Sequence, residues 1–300
     1  MTWAILGAGA LGSVIGAELF NSGADIVLLD TNEAHLKAIQ SEGLRVDWDD
    51  RTDHLPIRAM RPENAPELEL VILLTKTMHS QAALSSIAPK IAAGACVLTL
   101  QNGLGNVERI CGLVPETQIL YGCTMTPGDL RGPGHVVSHG IAYTPFSPLT
   151  ENPIAGRISE KLAAAGFEKT SNAAAKIWEK ASFNCAMNAT AVLGEGTVGQ
   201  IADFVGSDLA RKIAFEVLEV AAAEGIATNR TAVAEQIDFA LEHHVAHKPS
   251  MLQDIEGGRR TEIESLNGYA AERGAALGVP VPLNTLLASL VRMKEQQRLI

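Results

Sequence analysis

The stretch KIWEKASFNCAMNATA, residues 176 to 191, carries Lys180, Asn184 and Asn188 four residues apart. At about 100° per residue in an α-helix, each step of four drifts by about 40°, so an ammonium and two carboxamides fall in one stripe. Ile177, Trp178, Phe183, Met187 and Val192 surround that stripe with apolar bulk. A lysine in such surroundings can stabilise negative charge growing on a carbonyl oxygen and hand it a proton, and desolvation draws a lysine pKa down toward the range useful for an acid. The competing reading is a surface lysine in an exposed pair with Glu179.

A second cluster is KPSMLQDIEGGRRTEIESLNG, residues 248 to 268. Ser250 stands where a helix begins, and a helix N-terminus favours an anion; a plain N-cap serine is the alternative. Glu262 is expected on the same helix, about 18 Å further along a straight axis. Both reach one small substrate only if the helix bends or unwinds between them, and Gly257-Gly258 is the place for that.

Near the start, Gly7-Ala8-Gly9-Ala10-Leu11-Gly12 forms a G-x-G-x-x-G string between the apolar run TWAIL and a helical pattern. Its first glycine makes a tight turn, the second lets the backbone approach a pyrophosphate, and the third allows helix and strand to pack closely. Asp30 ends the next apolar run, DIVLLD, where a carboxylate accepts from the adenosine ribose hydroxyls and repels a 2′-phosphate; NAD is therefore expected over NADP. A capping role is the alternative for Asp30, and Thr31 and Asn32 compete for it. Lys76, the last residue of VILLTK, and Asn102, at the end of VLTLQNG, leave strand ends on the side where ligands sit in such sheets, with ordinary loop polarity as the alternative.

These groups need a scaffold. The first half alternates apolar strands with helical stretches such as SQAALSSIAPKIAAG, and runs that are apolar throughout belong to a parallel sheet covered on both faces. From about 120 to 150, glycine, proline and β-prone residues point to antiparallel strands or a loop closing the sheet edge. Beyond about 170 only helical segments are expected, near 172 to 193, 206 to 225, 230 to 246, 251 to 277 and 283 to 298. The reading is an α/β N-terminal Rossmann-type doubly wound domain over 1–170, binding NAD(P), followed by an all-α substrate and catalytic domain over 171–300, with a cleft between them.

GAGALG, the lysine and QNGLGN at successive strand ends, KASFNCAMNATA, SMLQDIEGGRRTEIESLNG and GVPVPLNT together resemble the ketopantoate reductases, over essentially the whole chain. The resemblance implies reduction of 2-dehydropantoate to pantoate with Lys180 as catalytic acid and Glu262 bonded to the reacting oxygen. It further implies that Asn184 and Asn188 hold the substrate and Ser250 its carboxylate. Asn102 would contact nicotinamide ribose or substrate, and Lys76 would support the nicotinamide. NADP-using members carry a basic residue just after the second strand, where this chain reads LLDTNE, and ketopantoate enzymes offer a further asparagine where it reads GEGTVGQ. An NADH-preferring D-2-hydroxyacid dehydrogenase acting on another branched or aromatic 2-oxo acid is therefore the alternative. From another class, a non-catalytic NAD(H)-sensing regulator remains, although a sensor needs no proton donor.

Composition narrows the partners. With 24 Lys and Arg against 34 Asp and Glu, the net charge of −10 opposes a nucleic-acid or anionic-membrane surface. Cys96, Cys111, Cys123 and Cys185 show no C-x-x-C spacing, which suggests reduced thiols in the cytoplasm rather than disulfides or zinc. The apolar start lacks a basic leader and is broken by glycines, so it reads as structure rather than a secretory signal. His243, His244 and His247, and His135 with His139, have no acidic or cysteine neighbour at ligand spacing, and no metal is expected. The expected partner is a small 2-oxo acid, and the chain a monomer or homodimer.

Overall fold

The computed structural model describes residues 1–140 and 142–298. They form two compact units: residues 1–101 with 106–140 and 142–173, and residues 102–105 with 174–298.

The first unit contains strands β1 (Thr2–Leu6), β2 (Ile26–Leu29), β3 (Leu44–Asp47), β4 (Thr52–Leu55), β5 (Arg58–Met60), β6 (Leu68–Leu73), β7 (Cys96–Thr99), β8 (Ile119–Gly122), β9 (Asp129–Gly132), β10 (His135–Val137), β11 (Pro145–Pro148) and β12 (Glu168–Lys169). Its helices are α1 (Ala10–Asn21), α2 (Glu33–Glu42), α3 (Ser80–Ser86), α4 (Ala88–Ala92), α5 (Asn106–Cys111) and α6 (Pro153–Ala164). Eight strands make the main sheet in the order β12-β11-β8-β7-β6-β1-β2-β5. Only the β11–β8 pair is antiparallel.

The continuous apolar runs follow from burial on both faces. Ile5, Leu28, Ile72 and Leu98 point to one face, where Val14, Ile15, Ile158 and Leu162 of α1 and α6 cover them. Leu6, Val27, Leu29, Val71, Leu73 and Val97 point to the other, under Leu84, Ile91 and Ile110 of α3, α4 and α5. After β1 the chain pairs β2 on one side and later β6 on the other, so the order reverses beside β1. That reversal opens a crevice at the carboxyl ends of β1 and β6.

Two local expectations are corrected here. The 120–150 stretch does not simply close the main sheet: β9 and β10 join β3 and β4 in a second sheet, β4-β3-β10-β9. The alternating burial of Leu44 and Val46 carried the missed strand signal, and only the pairing with distant His135–Val137 reveals its partner. The segment SQAALSSIAPKIAAG is two helices, because Pro89 supplies no N–H to continue the first.

The second unit is helical: α7 (Ala173–Gly194, its first residue counted with the first unit), α8 (Val198–Phe204), α9 (Gly206–Ala223), α10 (Arg230–His243), α11 (Ser250–Glu256), α12 (Asn267–Leu277) and α13 (Pro282–Arg298). Helix α8 lies outside the segments expected from periodicity, and Thr197 with Gln200 forms its capping box. The helix expected over 251–277 is three pieces, since α11 ends at Glu256, Gly258 takes φ +63° and a short 3-10 turn spans Ile263–Ser265 before α12. Glu262 is therefore not on the helix of Ser250.

Helix α7 is the axis of this unit, with Trp178, Ala181, Cys185, Ala186, Ala189 and Val192 all in its core. Two buried asparagines join the helices around it. Asn267 Nδ2 donates to the Cys185 carbonyl at 3.1 Å and to Asn284 Oδ1 at 2.9 Å. Asn284 Nδ2 donates in turn to the Ile213 carbonyl and to Glu216 Oε2, both at 2.9 Å. The Glu216 carboxylate also takes the N–H groups of Leu283 and Asn284, which satisfies and neutralises the start of α13. Removing one buried partner leaves others unpaired. Asn284→Ala should lower unfolding stability by about 2–4 kcal/mol in urea titrations, with an unchanged m-value.

Candidate active site

The glycine string lies between β1 and α1, at the crevice. Gly7 has φ +101°, and a Cβ there would stand 2.5 Å from the Thr75 nitrogen; a Cβ on Gly12 would strike the Gly7 carbonyl. Around Gly9 a Cβ would meet nothing within 4 Å. The loop is thus closed to side chains behind and open in front, with Ala10 and Leu11 in the first turn of α1, a shape that suits a diphosphate on backbone N–H groups.

Asp30 Oδ1 accepts from Thr31 and Asn32 N–H, both at 2.8 Å, while the capping role at α2 falls to Asn32, whose side chain accepts from His35 N–H. Lys76 caps the start of a 3-10 turn, Thr77–His79, three residues beyond the end of β6. Sequence reading missed the residue that ties these strand ends together. Gln101 Nε2 donates to the Thr75 carbonyl at 2.7 Å and to Ser80 Oγ at 2.8 Å, so the residue before Asn102 is fastened to the residue before Lys76. No local pattern points to it, because its partners lie more than twenty positions away.

Asn102–Gly105 packs into the second unit. Leu104 N–H donates to the Ser265 carbonyl at 2.6 Å. Gly103 at φ +87° and Gly105 at φ +73° lie so close to Ser265 and the Tyr269 ring that Cβ atoms would stand 2.5 Å from them. Asn102 is delivered by this packing, and its Oδ1 accepts from Lys180 Nζ at 2.6 Å.

A narrow recess beside it is lined by Asn102, Asn184, Asn188, Ser250, Met251, Asp254, Glu262 and Leu266. The break at Gly257-Gly258 folds the chain back, so Ser250 and Glu262 line one recess although no straight helix permits it. Lys180 is tied to this group by its bond to Asn102. Glu179 does not make the exposed pair with Lys180 considered from sequence. Its carboxylate is nearly buried and accepts from Lys176 Nζ and Asn229 N–H, both at 2.8 Å. Asp254, also missed, sits one turn after Ser250 and bonds Arg259 Nε at 3.1 Å. Its i, i+4 spacing from Ser250 was the available signal.

Ser250 begins α11, a helix of seven residues whose Met251 N–H donates to Asn188 Oδ1 at 3.3 Å, with Ser250 Oγ 3.5 Å from the same oxygen. The histidines also find partners that sequence spacing concealed, His135 Nε2 with Asp47 at 2.7 Å and His139 with Asp49. Among the described residues no group of three or more His, Cys, Asp or Glu is placed to hold a metal ion. Burial pushes the Cys96 thiol up to about 11 and raises that of Cys185 further still, so neither serves as a nucleophile.

A family model described as ketopantoate reductase PanE/ApbA matches residues 3–151, and the model of its C-terminal part matches residues 172–295. The chain belongs to the ketopantoate reductase family. A 2-dehydropantoate 2-reductase of Streptococcus pyogenes serotype M6 is 34% identical over 299 residues, 97% of each chain. The ternary structure of D-mandelate dehydrogenase with NADH and anilino(oxo)acetate superposes with a TM-score of 0.93 at 29% identity, over 100% of both chains. A PanE/ApbA family ketopantoate reductase from Ralstonia eutropha JMP134 does so with a TM-score of 0.89 at 31% identity, over 99% of each. Family membership makes the chain an oxidoreductase, and no helix of the described residues is long and apolar enough to cross a membrane.

Close to the glycine loop, burial holds the His35 imidazole below its ordinary 6.5, against weaker opposing pulls from Asp30 and from the Ala8 carbonyl. The unfolded chain then takes up this proton before the folded one does, so the contribution is fully present above about 6.5 and is lost as pH falls below it. Melting temperature should drop between pH 7 and 5.5, and drop less in a His35→Gln variant, as differential scanning calorimetry would record.

Proposed function

We propose that this protein reduces a 2-oxo acid to a D-2-hydroxy acid with a nicotinamide dinucleotide, the reaction being 2-dehydropantoate to pantoate, with Lys180 as the general acid. The carrying observation is the Lys180 Nζ to Asn102 Oδ1 bond of 2.6 Å beside a recess walled by Asn184, Asn188, Ser250 and Glu262. Membership of a reductase family supports the same reaction class.

When bound, the reduced nicotinamide supplies a hydride to the C2 carbonyl carbon. Lys180 Nζ donates a proton to the carbonyl oxygen as charge gathers there, and Asn102 Oδ1 holds the ammonium by one of its hydrogens so that another is aimed at the substrate. Asn184 and Asn188 offer amide donors to substrate oxygens, and Ser250 Oγ donates to the carboxylate. Glu262 accepts from the hydroxyl once it forms. Gly7 through Gly12 would cradle the diphosphate, Asp30 would accept from the adenosine ribose, and Lys76 would support the nicotinamide end. On this reading residues 1–170 are the NAD(P)-binding domain, residues 171–300 the substrate and catalytic domain, and the setting is cytoplasmic.

The likeness to D-mandelate dehydrogenase with NADH favours a second reading, an NADH-preferring dehydrogenase for another branched or aromatic 2-oxo acid. Asp30 supports NADH in either case, because its carboxylate repels a 2′-phosphate. Oxidation of NADH and of NADPH should be followed separately with 2-dehydropantoate and with aliphatic and aromatic 2-oxo acids. Turnover of 2-dehydropantoate with the highest kcat/KM, and with NADH ahead of NADPH, is expected; an aromatic acid ahead of it would establish the second reading. Lys180→Ala should lower kcat by about 10²–10⁴-fold while NADH still binds. A variant that keeps full turnover would remove Lys180 from the chemistry.

A further inference from the structure

The Ala8–Gly9 peptide is held from behind by a chain of side chains that the proposed mechanism does not use. Gly134 N–H donates to His35 Nδ1 at 3.0 Å. A backbone N–H can only donate, so Nδ1 presents its lone pair and the ring proton sits on Nε2. That Nε2 stands 3.2 Å from Ser13 Oγ, which donates to the Ala8 carbonyl at 2.9 Å. Every hydrogen in the relay is thereby assigned, from Gly134 to His35, from His35 to Ser13, and from Ser13 to Ala8.

Its far end is rigid. Gly134 turns between β9 and β10 at φ +69°, its carbonyl accepts from Arg45 N–H at 2.9 Å, and a Cβ there would press on the Ala38 Cβ at 2.8 Å. The near end has a geometric consequence. Among the described residues no peptide bond is cis, and in a planar trans peptide the N–H points opposite to the C=O. With the carbonyl of fully buried Ala8 drawn inward to Ser13, the N–H of exposed Gly9 turns outward, on the open side of the loop.

We propose that His35 and Ser13 are positioning residues of the dinucleotide site: their relay sets the Ala8–Gly9 plane so that Gly9 N–H faces the diphosphate. The inference rests on the reading of the glycine loop as a dinucleotide site. It makes the second sheet, through its β9–β10 turn, a support of cofactor binding.

Three variants separate this role from simple packing. Ser13→Ala keeps the His35–Gly134 bond and cuts the last link. His35→Gln keeps a donor at the Nε2 position and loses the acceptor for Gly134, whereas His35→Asn keeps an acceptor at the Nδ1 position and cannot reach Ser13. The Kd for NADH and for NADPH, read by nicotinamide fluorescence, is compared with melting temperature and with KM for the 2-oxo acid. For the dinucleotide that the wild type binds better, Kd should rise at least fivefold in Ser13→Ala and His35→Asn and less than twofold in His35→Gln. KM for the 2-oxo acid should stay put, although both His35 variants lose stability. Unchanged Kd in Ser13→Ala, or equal Kd values in the two His35 variants, would overturn the relay while leaving the dinucleotide reading intact. A wild type that binds neither dinucleotide would overturn both.

Discussion

The ammonium of Lys180, half-buried on the central helix of the second unit, needs a protein acceptor for a hydrogen that turns away from water, because an unpaired charge inside the fold is costly. Asn102 meets part of that need, and much of the second unit is arranged to bring it there. Four residues that follow a strand of the first unit pack instead among the helices of the second. Gly103 and Gly105 have no side chains because Ser265 and Tyr269 occupy the space, and the Leu104 N–H fixes the segment to the Ser265 carbonyl. The turn that carries Ser265 exists because the chain left its helix at Gly257. A requirement at one nitrogen thus reaches through a loop, a helix break and a 3-10 turn.

The first unit solves a different problem. Its parallel strands are apolar on both faces, so they can carry polar function only where they end, and the reversal of strand order beside β1 separates those ends into a crevice. Gln101 then joins the ends of β6 and β7 by bonds to Thr75 and Ser80. Lys76 and Asn102 directly follow Thr75 and Gln101, the two residues that this joint connects.

The resemblance to both a ketopantoate reductase and a D-mandelate dehydrogenase is physically reasonable for one scaffold. Proton donation and the holding of a 2-oxo carboxylate make the same demands whatever the side chain of the acid. Choice among acids belongs to the walls around the common group, and a few apolar contacts shift selectivity by only one to three kcal/mol per methylene.

Local pattern alone determined the buried strands β1, β2, β6 and β7, the glycine turn after the first of them, the long helix 173–194 and its stripe of Lys180, Asn184 and Asn188. Each is written in the periodicity of neighbouring residues, which is why it is legible without a structure. What tertiary structure decided depends on residues far apart in the chain. The pairing of β3 with β10, the joint made by Gln101, the relay from Gly134 to Ala8 and the meeting of Ser250 with Glu262 all have partners outside any local window. Glu179 states the difference most simply: beside Lys180 in sequence it looks like that lysine's partner, yet the helix turns it about 100° away, where the N–H of Asn229 claims it.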